Sequence, residues 1–235
     1  MRRKASVAWY LILSLVGAIL LVTASILSIP VKAKVTYLDI IFVGLLFILS
    51  CIIGISLALK PNWLKGGSSK HASSLESNNM DEKTNRTRRG HHPICHNYQN
   101  HTISHKGKIF CAACLGLAIG SSLSILLMVL YLVIFPYLSL TEFILFLFIG
   151  LMIIVYSYIE TVIPQRTGVS HVASNVLLVI GFFFVVAGVF GTTKSLLIGA
   201  FAVILSFLWL DTRVQLSHWN HEKICRNCRK SCKAY

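Results

Sequence analysis

The sequence predicts an all-α, polytopic membrane protein of about six transmembrane helices with a small cytoplasmic Cys/His metal-binding cap. Three observations carry that prediction. The 235-residue chain is 55% hydrophobic and only 13% charged, more apolar surface than a soluble domain of this size can bury. Its apolar residues fall in continuous runs of roughly 20, the length that crosses a hydrocarbon core of about 30 Å as a helix. Six of its seven cysteines lie in two polar segments between or after those runs. Helices are expected rather than strands because the runs do not alternate, and an open strand would leave backbone groups unpaired in lipid.

In chain order, residues 1–63 read as a transmembrane hairpin. Met-Arg-Arg-Lys precedes the run Val7 to Ile29, which is too long for a secretion-signal core and lacks an A-x-A cleavage site, so it reads as an uncleaved anchor. The second run, Thr36 to Leu59, follows a short loop from Pro30 to Val35. Residues 64–90 are rich in Ser, Asn and charge and poor in large apolar residues, the composition of a disordered linker. Residues 91–114 form a Cys/His loop. A four-helix bundle over 115–212 then comprises Leu115 to Phe135, Thr141 to Ile163, His171 to Phe190 and Lys194 to Leu210, and residues 213–235 form a Cys-rich tail. Gly116, Gly120 and Ser124 share one face of the third helix, where small side chains let a neighbouring backbone approach; Gly181, Gly188 and Gly199 read the same way.

Lysine and arginine set the orientation. With both termini in the cytoplasm, 19 of the 22 basic residues fall inside and only Lys32, Lys34 and Lys194 outside. This places the chain in the plasma or inner membrane as a multi-pass protein, and the net charge of +14 is largely that bias, with attraction to anionic headgroups as its consequence. No nucleic-acid partner is expected, because the basic residues lack interleaved aromatics or a recognised module. The sequons at Asn85 and Asn100 lie on the cytoplasmic side, where glycosylation does not occur.

The stretch from Gly90 to Gly120 holds five histidines and three cysteines. Thiolate and imidazole are the ligands zinc prefers, and Cys111-x-x-Cys114 spaces two sulfurs for one tetrahedral ion. Cys95 with His92 or His101 would close the site, and Gly107 permits the turn that brings the arms together. In the tail, His221, Cys225, Cys228 and Cys232 offer a Cys3His set for zinc, with an iron–sulfur cluster as the alternative cofactor. Neighbouring Arg226, Arg229, Lys230 and Lys233 would offset the charge of several thiolates. Cys51, inside a helix, reads as a small buried apolar residue. No haem-attachment CxxCH, HExxH, P-loop or GxSxG is present, so no catalytic residue is assigned. A second group, Tyr156, Glu160, His171 and Asn175, gathers toward the cytoplasmic ends of helices four and five with Asp211 and Arg213 nearby, and predicts a polar pocket beneath the metal segments.

His-His-Pro-x-Cys95, the downstream Phe110-Cys111-Ala-Ala-Cys114-Leu-Gly116, Gly120, and the tail Trp219-x-His221 with Cys225-x2-Cys228 give the chain a resemblance. It is similar over about Gly90 to Tyr235 to uncharacterised polytopic membrane proteins of bacteria and archaea, whose function is unknown. The resemblance implies a membrane protein and supplies no catalytic residues. Here Ala112 and Ala113 stand between the cysteines, where relatives often carry Ala or Arg and then Gly or Arg.

The functional expectation is a structural or regulatory scaffold in the lipid bilayer, with a zinc-folded cytoplasmic face that engages a cytoplasmic protein partner or gates the bundle. Two alternatives stay open: a transporter of a metal ion or small solute that uses the polar pocket, and a membrane thiol or redox enzyme that uses the CxxC pairs.

Overall fold

The computed structural model describes residues 2–28, 36–59, 88–89, 102–105, 108–163 and 167–226. Six long helices account for most of them: α1 (Arg2–Ser28), α2 (Tyr37–Leu59), α3 (Ala112–Ile134), α4 (Leu140–Val162), α5 (Gly168–Thr193) and α6 (Leu196–Arg226). Each is long and apolar enough to cross a membrane. Three short strands precede α3: β1 (Arg88–Arg89), β2 (Thr102–His105) and β3 (Lys108–Cys111).

The helices begin and end where local chemistry satisfies their free backbone groups. Ser139 and Glu142 form a capping box at the start of α4: Glu142 accepts from the Ser139 N–H at 2.5 Å, and Ser139 Oγ accepts from the Glu142 N–H at 3.5 Å. Thr167 Oγ1 accepts from the Ser170 N–H at 3.2 Å to open α5. At its other end α5 stops on Lys194, whose φ of 51° is left-handed and whose N–H bonds back to the Phe190 carbonyl at 2.8 Å. Asp39 accepts from the Thr36 N–H at 3.2 Å at the start of α2.

α5 is the hub. Of its spanning residues 67% are buried, against 22 to 28% for α1 to α4. Glycines let its neighbours reach its backbone. A Cβ on Gly188 would lie 2.5 Å from the Leu147 nitrogen, and one on Gly150 would lie 2.8 Å from the Gly181 carbonyl oxygen, so α4 and α5 touch main chain to main chain. On the other flank a Cβ on Gly116 would lie 2.5 Å from the Val172 carbonyl oxygen, and the buried Gly116, Gly120 and Ser124 form the α3 face expected from the sequence. Tyr131 of α3 donates to the Ala187 carbonyl at 3.0 Å, and its ring meets Phe135, Phe143 and Phe183 edge-on.

Three features depart from the sequence reading. First, α1 and α2 do not form a unit of their own. α1 packs on α6 and α5, and α2 packs on α3 and α6. Second, α6 does not stop at Leu210. It continues as one 31-residue helix to Arg226, so the expected tail begins as helix, because Arg213 is bonded inside the bundle rather than released to water. Third, the all-α bundle is joined by a small sheet of order β1-β3-β2. β2 and β3 are antiparallel with Thr102 opposite Cys111 and His105 opposite Lys108, and β1 runs parallel to β3. The β-branched and aromatic residues Ile103, Ile109 and Phe110 suit strands, a short pattern overshadowed by the surrounding histidines and cysteines. The linker expected over 64–90 lies outside the described residues except for the two in β1.

Candidate functional site

Two groups of residues sit at the end of the bundle that carries the sheet. The first is the thiol pair. β3 ends on Cys111, which is the N-cap of α3 in extended geometry (φ −69°, ψ 123°), and Cys114 follows within the first turn. Their side chains lie close enough to interact, with Cys111 2% exposed and Cys114 part-buried. Both are free thiols. A bare thiolate is disfavoured in such a buried place, so the charged form needs a cation beside it. A divalent metal would supply one, and the N-terminal dipole of α3 acts in the same direction.

The hairpin lays β2 alongside β3, next to these sulfurs. Thr102, the residue after His101 in the chain, is the register partner of Cys111. His92, Cys95 and His101 themselves lie outside the described residues, as do Cys228 and Cys232. His221 and Cys225 fall one turn apart on the last turns of α6, with their side chains outside the described residues. Among the described residues, no group of three or more His, Cys, Asp or Glu side chains that could hold a metal ion comes together.

The second group is polar and lies between α4, α5 and α6. Its centre is Arg213, which is 7% exposed. The guanidinium donates from Nε to Ser157 Oγ at 2.9 Å, from Nη2 to Ser174 Oγ at 2.9 Å, and from Nη1 to Asn175 Oδ1. Asn175 Nδ2 donates to the His171 carbonyl at 2.6 Å, and the Ser157 and Ser174 hydroxyls are 3.3 Å apart. One turn further along α4, Thr161 donates to the Ser157 carbonyl and its own carbonyl accepts from Asn220 of α6 at 3.3 Å. Glu160, 5% exposed, accepts from Ser170 Oγ at 2.6 Å. An ionisable group so placed inside spanning helices is kept only with partners, and these side chains provide them.

Of the four residues expected in a polar pocket, Glu160 and Asn175 are buried here and His171 is part-buried. Tyr156 is 54% exposed on the outside of α4. It lies one turn before Glu160, but the helix turns its face outward. Arg213, Ser157, Ser174 and Ser170 complete the cluster. A signal for Arg213 was available, since an arginine inside a helix that continues past it demands buried acceptors, but hydropathy alone ends the span before it.

A third set of polar contacts fixes α1 to α6. Ser14 Oγ and Thr212 Oγ1 are 2.7 Å apart, Trp209 Nε1 donates to the Ser14 carbonyl at 3.2 Å, and Thr212 Oγ1 lies 3.4 Å from the Tyr10 carbonyl. Trp209 also accepts, through its carbonyl, from Tyr158 of α4 at 2.9 Å.

Fold and site together define a multi-pass membrane protein whose buried charged residues among those described, Glu160 and Arg213, lie at one end of a helical bundle. Comparison with family models, with curated proteins and with solved structures finds no match to this chain.

Proposed function

We propose that the protein is a membrane-embedded scaffold or regulator whose hairpin-bearing end is folded around one or two zinc-type Cys/His sites. The observation that carries this reading is the neighbouring pair of free thiols, Cys111 buried and Cys114 part-buried, at the joint between β3 and α3. Two such sulfurs are half of a tetrahedral zinc site, and the register of Thr102 on Cys111 supports closure from the His101 side, with Cys95 or His92 as the further ligand. The tail set His221, Cys225, Cys228 and Cys232 forms the second site. Short segments with little core of their own gain most of their folding free energy from such a metal.

Burial also weighs against the thiol-enzyme alternative, which needs an accessible, reactive sulfur. The basic residues orient this end to the cytoplasm, where a partner protein would read the metal-folded face. Elemental analysis of protein purified without chelator tests the proposal. Wild type should hold at least about one equivalent of metal, Cys111→Ser should remove one site, and Cys228→Ser the other. Metal below about half an equivalent in wild type would overturn it.

A second reading, transport of an ion or small solute, draws on the burial of Glu160 and Arg213 within the spans. It expects flux in vesicles to fall in Glu160→Gln with metal content unchanged. The hydrogen-bonded state of the cluster supports a structural role first.

A further inference from the structure

The thiol pair and the Arg213 cluster meet through one glycine. Cys114 lies in the first turn of α3, and Gly116, two residues on, is buried against α5. A Cβ there would lie 2.5 Å from the Val172 carbonyl oxygen, 2.7 Å from the Asn175 Cβ and 3.1 Å from the Val172 Cα, so the start of α3 rests on the main chain of α5. Gly120, about one turn later, continues the contact: its Cβ would lie 2.9 Å from the Val176 Cα. On the other side of the joint, β3 ends on Cys111 and pairs with β2, and β2 packs on α5 as well. The segment that carries both sulfurs is therefore held to α5 at two places.

Asn175 carries this contact into the cluster. It is buried, its Nδ2 donates to the His171 carbonyl at 2.6 Å, and its Oδ1 accepts from Arg213 Nη1. The same guanidinium of α6 holds Ser157 of α4 and Ser174 of α5. From Gly116 onward, the steps toward α4 and α6 are close packing against backbone or buried hydrogen bonds. Packed main chain has little of the slack of a rotating side chain, so a change in the pose of the α3 N-terminus is passed on rather than absorbed.

Two sulfurs on one ion are fixed at tetrahedral spacing, whereas two neutral thiols are held only by their packing, so the two states differ in that pose. Building on the reading of Cys111 and Cys114 as half of a zinc-type site, we infer that metal at this pair tightens the Arg213 cluster, and that the cluster in turn stabilises the bound metal. The regulated element is the junction of α4, α5 and α6, closed firmly with the ion in place and loosened when it is lost. Linkage makes the effect reciprocal: the factor that an intact cluster adds to zinc affinity is the factor that zinc adds to the cluster.

The test reads the thiol pair itself in the full chain, purified in detergent and freed of metal by a chelator. Maleimide labelling of the peptide spanning 108–120 is followed as zinc is added back, and the readout is the zinc concentration that halves the labelling rate. Asn175→Ala cuts the link between α5 and Arg213 without touching a thiol, and should raise that concentration at least about fivefold. Gly188→Ala loosens α4 from α5 several turns away along α5 and should leave it unchanged, which separates coupling from general destabilisation. Cys51, buried in the bundle, should stay unlabelled in every folded protein. If it labels in Asn175→Ala, that variant has not folded, and Ser174→Ala, which deletes a single acceptor of Arg213, takes its place with a shift in the same direction expected. Zinc protection at the same concentration in wild type and in the folded variant overturns the coupling and leaves the metal site standing. An equal shift in Gly188→Ala overturns it as well. Labelling that zinc does not slow even in wild type overturns the metal site, and the coupling with it.

Discussion

Arg213 and Ser157 stand 56 positions apart in the chain, yet the guanidinium Nε lies 2.9 Å from the serine hydroxyl, both of them buried. This contact joins α6 to α4 where α5 also meets them, through Ser174 and Asn175. The bundle is therefore closed at this end by one cation and a set of neutral acceptors.

Arg213→Lys should destabilise the protein more than a like-charged exchange suggests. Lysine keeps the charge but cannot present the fork that reaches Ser157, Ser174 and Asn175 together. A loss of about 2 kcal/mol is expected from acceptors left unpaired, read as a lower melting temperature in detergent. Ser157→Ala should cost about 1 kcal/mol by the same measure. An unchanged melting temperature in both would show that the cluster contributes no stability.

Gly188→Ala should destabilise although it adds one methyl group. Its Cβ would sit 2.5 Å from the Leu147 nitrogen and 2.7 Å from the Phe143 carbonyl oxygen, and backbone cannot yield as a side-chain tip can. The helices must separate, at a cost of about 1–3 kcal/mol. Gly54→Ala is the control and should be nearly neutral. Thermal unfolding of the pair side by side checks the contrast.

Thr212→Val should loosen α1. The hydroxyl that meets Ser14 at 2.7 Å is lost while the volume is kept. Hydrogen bonds between spanning helices contribute about 0.6 kcal/mol on average, so the fold should survive while α1 detaches more readily. The yield of an engineered disulfide between positions 13 and 213 would report this poorly, because 213 is itself buried. Hydrogen exchange at Tyr10 to Gly17 is the better measurement, and faster exchange is expected there with α4 unaffected.

Alkylation of Cys111 and Cys114 by a maleimide should be slow in native protein and should accelerate at least about tenfold after chelator treatment, if the pair is held by metal. Cys51, walled in by the helices at 5% exposure, should stay unreactive in both states. Mass spectrometry of peptides spanning 108–120 and 43–59 separates the two outcomes. Rapid labelling of Cys114 without chelator would favour a free thiol.

The six spans could be read from the chain before any packing was known, because the cost of leaving a backbone or an apolar run in the wrong solvent accrues residue by residue. It also marked the glycine face of α3, since the spacing of Gly116, Gly120 and Ser124 is local. The Cys111-x-x-Cys114 spacing was legible too, and the hairpin that sets Thr102 opposite Cys111 was not, because a strand of four residues is a weak signal. Which helix lies at the centre emerged from packing alone. The spans of α1, α3 and α5 share a mean hydropathy of 2.5, yet α5 is the buried one. Hydropathy records departure from water and is satisfied equally by lipid or by protein, so it cannot rank them. Close backbone approach at Gly150, Gly181 and Gly188 ranks them instead, as does the meeting of Arg213 with acceptors on two other helices. Both depend on residues far apart in the chain. For the same reason α1 and α2, neighbours in sequence, are held by α6 and α3 rather than by each other, and Arg213 continues a helix that its charge alone would have ended.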